Sequence, residues 1–346
     1  MERQLQIETW LRQVYPGETF KLAPASADAS FRRYFRVCFD RPVAGTSTRI
    51  VMDAPPQRED CRPWLQVQQL FHAGGVHVPE VLAQDLERGF LILSDLGSTP
   101  YLAALLPQSI QIPPQQAHSL YMDALEALIR LQLASRPGVL PAYDRTLLKR
   151  ELDLFPDWYV EKHLGVKLTD AQRTVMQQAF DHILASNLGE PQVFVHRDYH
   201  SRNLMLVAPS AGSNPGVIDF QDAVFGPISY DLASLFKDAY IEWQEEQTLD
   251  WLIRYWEKAR QAKLPVRSDF AEFHRDYEWM GVQRHLKVLG IFARLFHRDG
   301  KDGYLKDMPL VMKHLRQACK RYRDLGRLLK LLDELENRAV QVGYSF

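Results

Sequence analysis

Cysteine is almost missing from this chain: three in 346 residues, Cys38, Cys61 and Cys319, far apart and odd in number. That usage excludes a disulfide framework, and the lack of any Cys-x-x-Cys pair removes the usual structural zinc signatures. Buried, inert thiols in a reducing compartment are expected. Long apolar runs are missing too, since no stretch approaches the ~20 residues that a membrane span needs. The opening segment, Met1 to Trp10, has no apolar centre flanked by a cleavage site and reads as an amphipathic helix instead of a signal peptide. Charge of one sign is also lacking. The 42 Lys and Arg against 43 Asp and Glu leave a formal net charge of −1, so no global field draws in nucleic acid or an anionic membrane. A soluble cytoplasmic protein with neither partner is expected. There is no internal repeat and no low-complexity segment, and nothing in the sequence sets an oligomeric state.

What is present is enough chain for two lobes. At 346 residues and 46% hydrophobic composition the protein is globular and long for a single core. Short β-prone runs come first: Phe20–Ala23, Tyr34–Phe39 and Ile50–Met52, then Val78–Ala83 and Gly89–Ser94. A helical stretch from Arg62 to Ala73, closed by Gly74-Gly75, lies between the third and fourth. Past Gly97 the pattern turns helical. Leu120, Ala124, Leu125, Leu128 and Leu131 mark the period over Gln115–Ser135, and Arg145–His163 and Asp170–Asn187 repeat it. Helices resume at Tyr230, with breaks at Leu264-Pro265 and around Asp299–Tyr304. The basic stretch from Lys313 to Lys330 reads as the wet face of an amphipathic helix, not a nucleic-acid patch. The expected fold class is α+β, with a small five-stranded antiparallel lobe over residues 1–97 and a larger, mainly helical lobe over 98–346. The link Ser94-Asp95-Leu96-Gly97-Ser98, polar and Gly-containing, is either a hinge or an ordinary strand-to-helix turn capped by Asp95.

The chemistry concentrates in Val195-His196-Arg197-Asp198-Tyr199-His200-Ser201-Arg202-Asn203 and in Val217-Ile218-Asp219-Phe220. Gln192–His196 is a short strand followed by a polar loop. The apolar run Leu204–Val207 and the pair Val217-Ile218 flank a Pro-, Ser- and Gly-rich turn over 208–216. Two strands around that turn bring Asn203 beside Asp219. One amide oxygen and one carboxylate, with phosphate oxygens and water completing an octahedron, suit Mg2+. Asp198, five residues before Asn203, is placed to accept the proton of a hydroxyl nucleophile. In such phosphoryl transfer, positioning and charge neutralisation do most of the catalysis.

His196-Arg197-Asp198, Asn203, Asp219-Phe220 and Gly226-x4-Asp231-Leu232-Ala233 together resemble the aminoglycoside phosphotransferase-like kinase family. Similarity is closest to its bacterial cell-wall amino-sugar kinases, through Met52-Asp53-Ala54-Pro55-Pro56, Leu93-Ser94-Asp95-Leu96-Gly97 and Asp219-Phe220-Gln221-Asp222-Ala223 as well as the catalytic stretch. The resemblance implies a two-lobed protein-kinase-like fold. It implies ATP and Mg2+ as cofactors and phosphorylation of the anomeric hydroxyl of N-acetylmuramate and N-acetylglucosamine in peptidoglycan recycling. It further implies Asp198 as catalytic base, Asn203 and Asp219 as metal ligands, and His196 and Asp231 as supports of the loop. Adenine would meet the backbone at Asp95 and Leu96. Tyr199, His200 and Arg202 would face the sugar, with Arg202 or His200 meeting a carboxylate.

Two parts of that family pattern are absent. The loop expected to cover the phosphates reads Ser26-Ala27-Asp28-Ala29-Ser30-Phe31-Arg32-Arg33, without glycine, and the strand expected to carry a lysine reads Arg49-Ile50-Val51-Met52-Asp53. Arg32 or Arg33 is the candidate replacement, because a guanidinium grips two phosphate oxygens at once. Two alternatives stay open. A kinase of another small alcohol, aminoglycoside or choline-like, would use Asp222, Glu242, Glu245 and Glu246 for a cationic acceptor. A nucleotide-binding module without catalysis would explain the missing lysine and glycines.

Overall fold

A computed structural model describes residues 2–27, 31–106, 114–208 and 212–336. By its internal contacts the chain divides into two units, Met1–Ala134 with Arg202–Asp222, and Ser135–Ser201 with Ala223–Phe346. The catalytic stretch crosses from the second unit to the first between Ser201 and Arg202.

The first unit holds a five-stranded antiparallel sheet ordered β1-β2-β3-β5-β4. The strands are β1 (Phe20–Ala27), β2 (Arg33–Val43), β3 (Thr46–Asp53), β4 (Val81–Asp85) and β5 (Phe90–Leu93). Both β2 and β3 outrun the apolar runs that announced them. They meet in a tight turn whose central residues, Ala44 and Gly45, take φ values of 48° and 81°, the left-handed geometry that matches the twist of a hairpin. Helix α1 (Glu2–Val14) lays Ile7, Trp10 and Leu11 on Val37, Phe39, Val51, Phe90 and Ile92 of the sheet. Helix α2 (Cys61–Ala73) comes between β3 and β4, as the sequence led us to expect, and Asp60 caps its first turn by accepting from the Arg62 N–H. Helices α3 (Tyr101–Leu105) and α4 (Pro114–Leu133) follow.

The second unit is mostly helical: α5 (Arg145–Leu152), a π-helix (Phe155–His163), α6 (Asp170–Leu188), α7 (Tyr230–Phe236), α8 (Glu245–Gln261), α9 (Phe270–Asp299), α10 (Met308–Arg321) and α11 (Gly326–Leu335). Its only named strands among the described residues, β6 (Gln192–Val195) and β9 (Val224–Pro227), pair antiparallel. Strands β7 (Leu204–Met205) and β8 (Gly216–Val217) belong to the first unit.

Arg145–His163 does not form one helix. Pro156 has no N–H to donate, and beyond it the turns widen, the Leu164 N–H reaching back to the Tyr159 carbonyl. Nearby, Gly290 lets α9 approach the backbone of Leu154 at a distance where a Cβ would meet its carbonyl carbon at 2.4 Å. Helix α9 is the axis of the unit. Asp269 caps its start and a left-handed Gly300 closes it. The basic C-terminal stretch also departs from a single wet-faced helix. It breaks at Tyr322, and Arg316 is buried, donating to Asp333 and to Glu336. The three cysteines are free, Cys61 and Cys319 buried and Cys38 only partly so. Among the described residues no helix is long and apolar enough to cross a membrane.

Candidate active site

The first unit brings Asn203 and Asp219 together through β7 and β8. Leu204 pairs with Val217, and the Ile218 N–H donates to the Asn203 carbonyl at 3.1 Å. Asn203 Nδ2 then donates to Asp219 Oδ2 at 3.3 Å, and Gln221 Nε2 donates to Oδ1 at 2.8 Å. Asp219 takes φ 64°, a left-handed conformation that aspartate tolerates better than most residues. Phe220 anchors it. Its ring is fully buried against Trp64 and Phe71 of α2, with centroids 5.0 and 5.7 Å away. With Nδ2 turned to Asp219, the amide oxygen is what Asn203 offers a cation. One amide oxygen beside one carboxylate is a donor set that fits magnesium, which takes its remaining ligands from phosphate and water.

The other first-unit candidates are already engaged within that unit. Arg33 donates through Nε to Asp53 Oδ2 at 3.0 Å and also through Nη2, while Arg3 grips Oδ1, with Nε at 2.8 Å. Arg32, beside it, is half-buried. Asp95 accepts from Arg36 Nε at 2.6 Å and from the Gly97 N–H at 3.0 Å; Arg36 also donates to the Gly97 carbonyl at 2.8 Å. Leu96 is buried against Gly216. The link at residues 94–98 is therefore cross-braced. The middle of the anticipated phosphate loop, 28–30, lies outside the described residues.

In the second unit the loop His196–Ser201 leaves β6 and is fixed from below by α7. Asp231, fully buried, accepts the N–H groups of His196 at 2.7 Å and Arg197 at 3.0 Å. Burial pushes its carboxyl up to about 7, against the pull of those two hydrogen bonds. Arg197 takes φ 77°. The far end of the loop is held by Asp238, which accepts from the Ser201 N–H at 3.0 Å and from its hydroxyl at 2.5 Å. His196 Nδ1 accepts from the Asp198 N–H at 3.3 Å.

Glu151 of α5 forms a hub behind the loop. Arg197 and the Tyr143 hydroxyl donate to it in short contacts, Gln283 Nε2 lies at 3.2 Å and Lys287 Nζ at 3.2 Å; Lys287 also donates to the Tyr230 hydroxyl at 2.9 Å. Burial alone would raise the Glu151 carboxyl, but Lys287 and Arg197 outweigh it and hold it below its ordinary value. The same balance operates on Asp198. Burial raises it, yet the charges of Lys287, His200, Arg284 and Arg197 bring it down to about 2. Asp198 is thus ionised at neutral pH and able to accept a hydrogen bond from an alcohol.

Tyr199 is buried with its ring edge on His196, centroids 5.7 Å apart, while partly exposed His200 packs on Tyr240 at 5.6 Å. Arg202 opens the stretch that belongs to the first unit. Glu151, Lys287, Arg284 and Asp238 did not emerge from the sequence. The faint signal for Glu151 was a carboxylate among apolar positions, next to Leu152 and a turn after Leu148.

The profile of the phosphotransferase enzyme family matches residues 21–266. An N-acetylmuramate/N-acetylglucosamine kinase of Neisseria meningitidis is 50% identical over 348 residues, covering 100% of this chain and 100% of that one. Among solved structures, choline kinase from Cryptosporidium parvum aligns with a TM-score of 0.61 at 13% identity, over 96% of this chain and 100% of that one. A streptomycin–ATP ternary complex of the aminoglycoside phosphotransferase APH(2")-IIa gives 0.57 at 14%, over 89% and 95%. At such identities the structural likeness bears on the fold alone, which is protein-kinase-like as the motif implied.

Proposed function

The chain belongs to the phosphotransferase enzyme family, and from that premise we propose that it is an ATP-dependent kinase for the anomeric (C1) hydroxyl of N-acetylmuramate and N-acetylglucosamine. The observation that carries this reading is the 50% identity, end to end, with a kinase named for those two sugars. ATP as donor is supported by the nucleotide in the ternary complex of a relative in fold. Residues 1–97 hold the nucleotide, and 98–346 supply the catalytic loop and the acceptor site. Localisation in the cytoplasm, where ATP is available, accords with this reading.

Asp198 orients the sugar hydroxyl and takes its proton late in transfer. Because phosphoryl transfer asks little of the nucleophile early on, a carboxylate held at about 2 is basic enough. Asn203 and Asp219 hold magnesium, which when bound neutralises charge on the donor phosphates. His196 and Asp231 keep the loop in register, while Arg32 or Arg33 meets phosphate and Asp95 and Leu96 lie at the adenine. Tyr199, His200 and Arg202 contribute to the acceptor site.

A cationic acceptor is disfavoured by the second unit's charges. Glu242 and Glu245 are paired with Lys313 and Arg321, and the groups acting on Asp198 are Lys287, His200, Arg284 and Arg197. Incubation with ATP and a panel of acceptors should release ADP with both amino sugars and not with choline or streptomycin. Phosphorus NMR should then place the product phosphate on C1. A phosphate on the primary alcohol, or release with choline alone, refutes the assignment, and ATP binding with no release for any acceptor would leave a non-catalytic module. Asp198→Asn should lower turnover on the order of 10²–10⁴-fold with ATP affinity kept, whereas Asp219→Ala should weaken binding of the magnesium nucleotide as well.

A further inference from the structure

Arg284 stands apart from the other charged groups near the catalytic loop. It lies on α9 one turn before Lys287, beside Gln283, so its segment is pinned to Glu151 through both neighbours. It is 3% exposed, yet its Nε and Nη1 are buried and meet no hydrogen-bond acceptor, and it enters no ion pair among the described residues. A guanidinium cannot shed its proton, and leaving two of its nitrogens buried without an acceptor is unfavourable. Two of the carboxylates around it are engaged elsewhere. Glu151 serves Arg197, Lys287, Gln283 and Tyr143, and Asp231 turns its two oxygens to loop amides. Through Gln283 and Lys287 its segment meets Glu151, which also holds Arg197 of the catalytic loop, and the charge of Arg284 acts on both Asp198 and Asp231.

Two N–H groups of Arg284 therefore stand without an acceptor, and an incoming anionic ligand can supply one. Of the two sugars in the function proposed above, on which this inference rests, N-acetylmuramate carries a carboxylate on its lactyl ether and N-acetylglucosamine carries none. We propose that Arg284 is the carboxylate-recognition residue of the acceptor site, gripping the lactyl group of N-acetylmuramate while Asp198 meets the sugar hydroxyl. The two substrates then share one catalytic base and differ in one ion pair.

The experiment compares KM and kcat for both sugars in the natural chain, Arg284→Met and Arg284→Lys. In Arg284→Met the KM for N-acetylmuramate should rise on the order of 10- to 100-fold, the range for loss of a charge-assisted hydrogen bond. The KM for N-acetylglucosamine should stay within about threefold, any change in kcat should be the same for both sugars because both lose the charge that Arg284 exerts on Asp198, and Arg284→Lys should recover part of the N-acetylmuramate loss. Equal rises in KM for both sugars, or a fall confined to kcat, would mean that Arg284 acts only through Asp198 or on the moving phosphoryl group and would overturn the proposal. So would no change at all. The methyl ester of N-acetylmuramate tests the same contact in the natural chain, independently of how the variants fold: it should lose as much as the Met variant does with the free acid, and an unchanged KM overturns the assignment. Failure of the natural chain to phosphorylate either sugar is a separate outcome that removes the function itself.

Discussion

Asp53 in the first unit and Glu151 in the second are both buried carboxylates ringed by basic side chains, and the exposure of those side chains separates them. Asp53 is held by Arg3 and Arg33, whose side chains are 26% and 50% exposed. Glu151 is held by Arg197 and Lys287, 18% and 7% exposed, with Tyr143 and Gln283 completing the shell. A half-exposed arginine can trade a carboxylate for another anion because water covers it during the exchange. A buried lysine cannot, since every intermediate arrangement strands a charge. The Glu151 hub is a permanent frame for the catalytic loop. Under the proposed function, the Asp53 clamp would be a resting place from which a nucleotide's phosphates recruit Arg33.

The sharpest way to break this contrast is Glu151→Ala. It leaves Arg197 and Lys287 buried without their carboxylate, and removal of one partner from such a pair costs about 3–5 kcal/mol. Urea unfolding at pH 7 should show a loss of that size. A loss under about 1 kcal/mol would mean that water reaches the hub, and the distinction between the two carboxylates would collapse.

Acid titration sharpens the same point at Asp198. Its carboxyl is held at about 2 in the folded chain against an ordinary 3.8. A depressed carboxyl contributes stability above its unfolded value and loses it as pH falls through the folded value. Between about pH 5 and pH 2 the natural chain should therefore lose on the order of 2 kcal/mol more than Asp198→Asn. Asp231, raised to about 7, works in the opposite sense and weakens the fold as pH climbs from about 4 to 7. Parallel acid limbs in the two chains would show that Lys287 and its neighbours do not hold Asp198 down.

The sheet and the meeting of Asn203 with Asp219 could be read from the sequence because both follow from short-range pattern. Asn203 and Asp219 flank two apolar runs around a Pro-, Ser- and Gly-rich turn, and a hairpin follows whatever surrounds it. Strand β9 escaped because Gly226 and Pro227 look like a turn, although Pro227 comes last in the strand, where a missing N–H is tolerated. Arg284 and Lys287 escaped for a different reason. Cations in a helix are normally solvated, and only the packing of the second unit shows that α9 is buried without a break from Asp276 to Gly290. Lys287 and Arg284, two of the four charges that set Asp198, are thus a tertiary property, invisible to periodicity.

The smallest effect expected on stability is also the one that tests whether the Asp53 clamp can open. In Arg33→Ala, Asp53 keeps Arg3, with Nε at 2.8 Å, and Arg3 keeps its second contact to the Arg88 carbonyl at 2.7 Å. A half-exposed pair is worth no more than about 1 kcal/mol, so the urea midpoint should barely move. Nucleotide binding should move more. If Arg33 swings to phosphate, the affinity for magnesium ATP should fall roughly tenfold, the scale of one charge-assisted contact to an anion. Arg32→Ala, titrated alongside, tells which of the two adjacent guanidiniums stands in for the lysine that β3 lacks. Unchanged affinity and turnover in both variants would return Arg33 to a purely structural grip on Asp53, and both carboxylates would then be fixed frames.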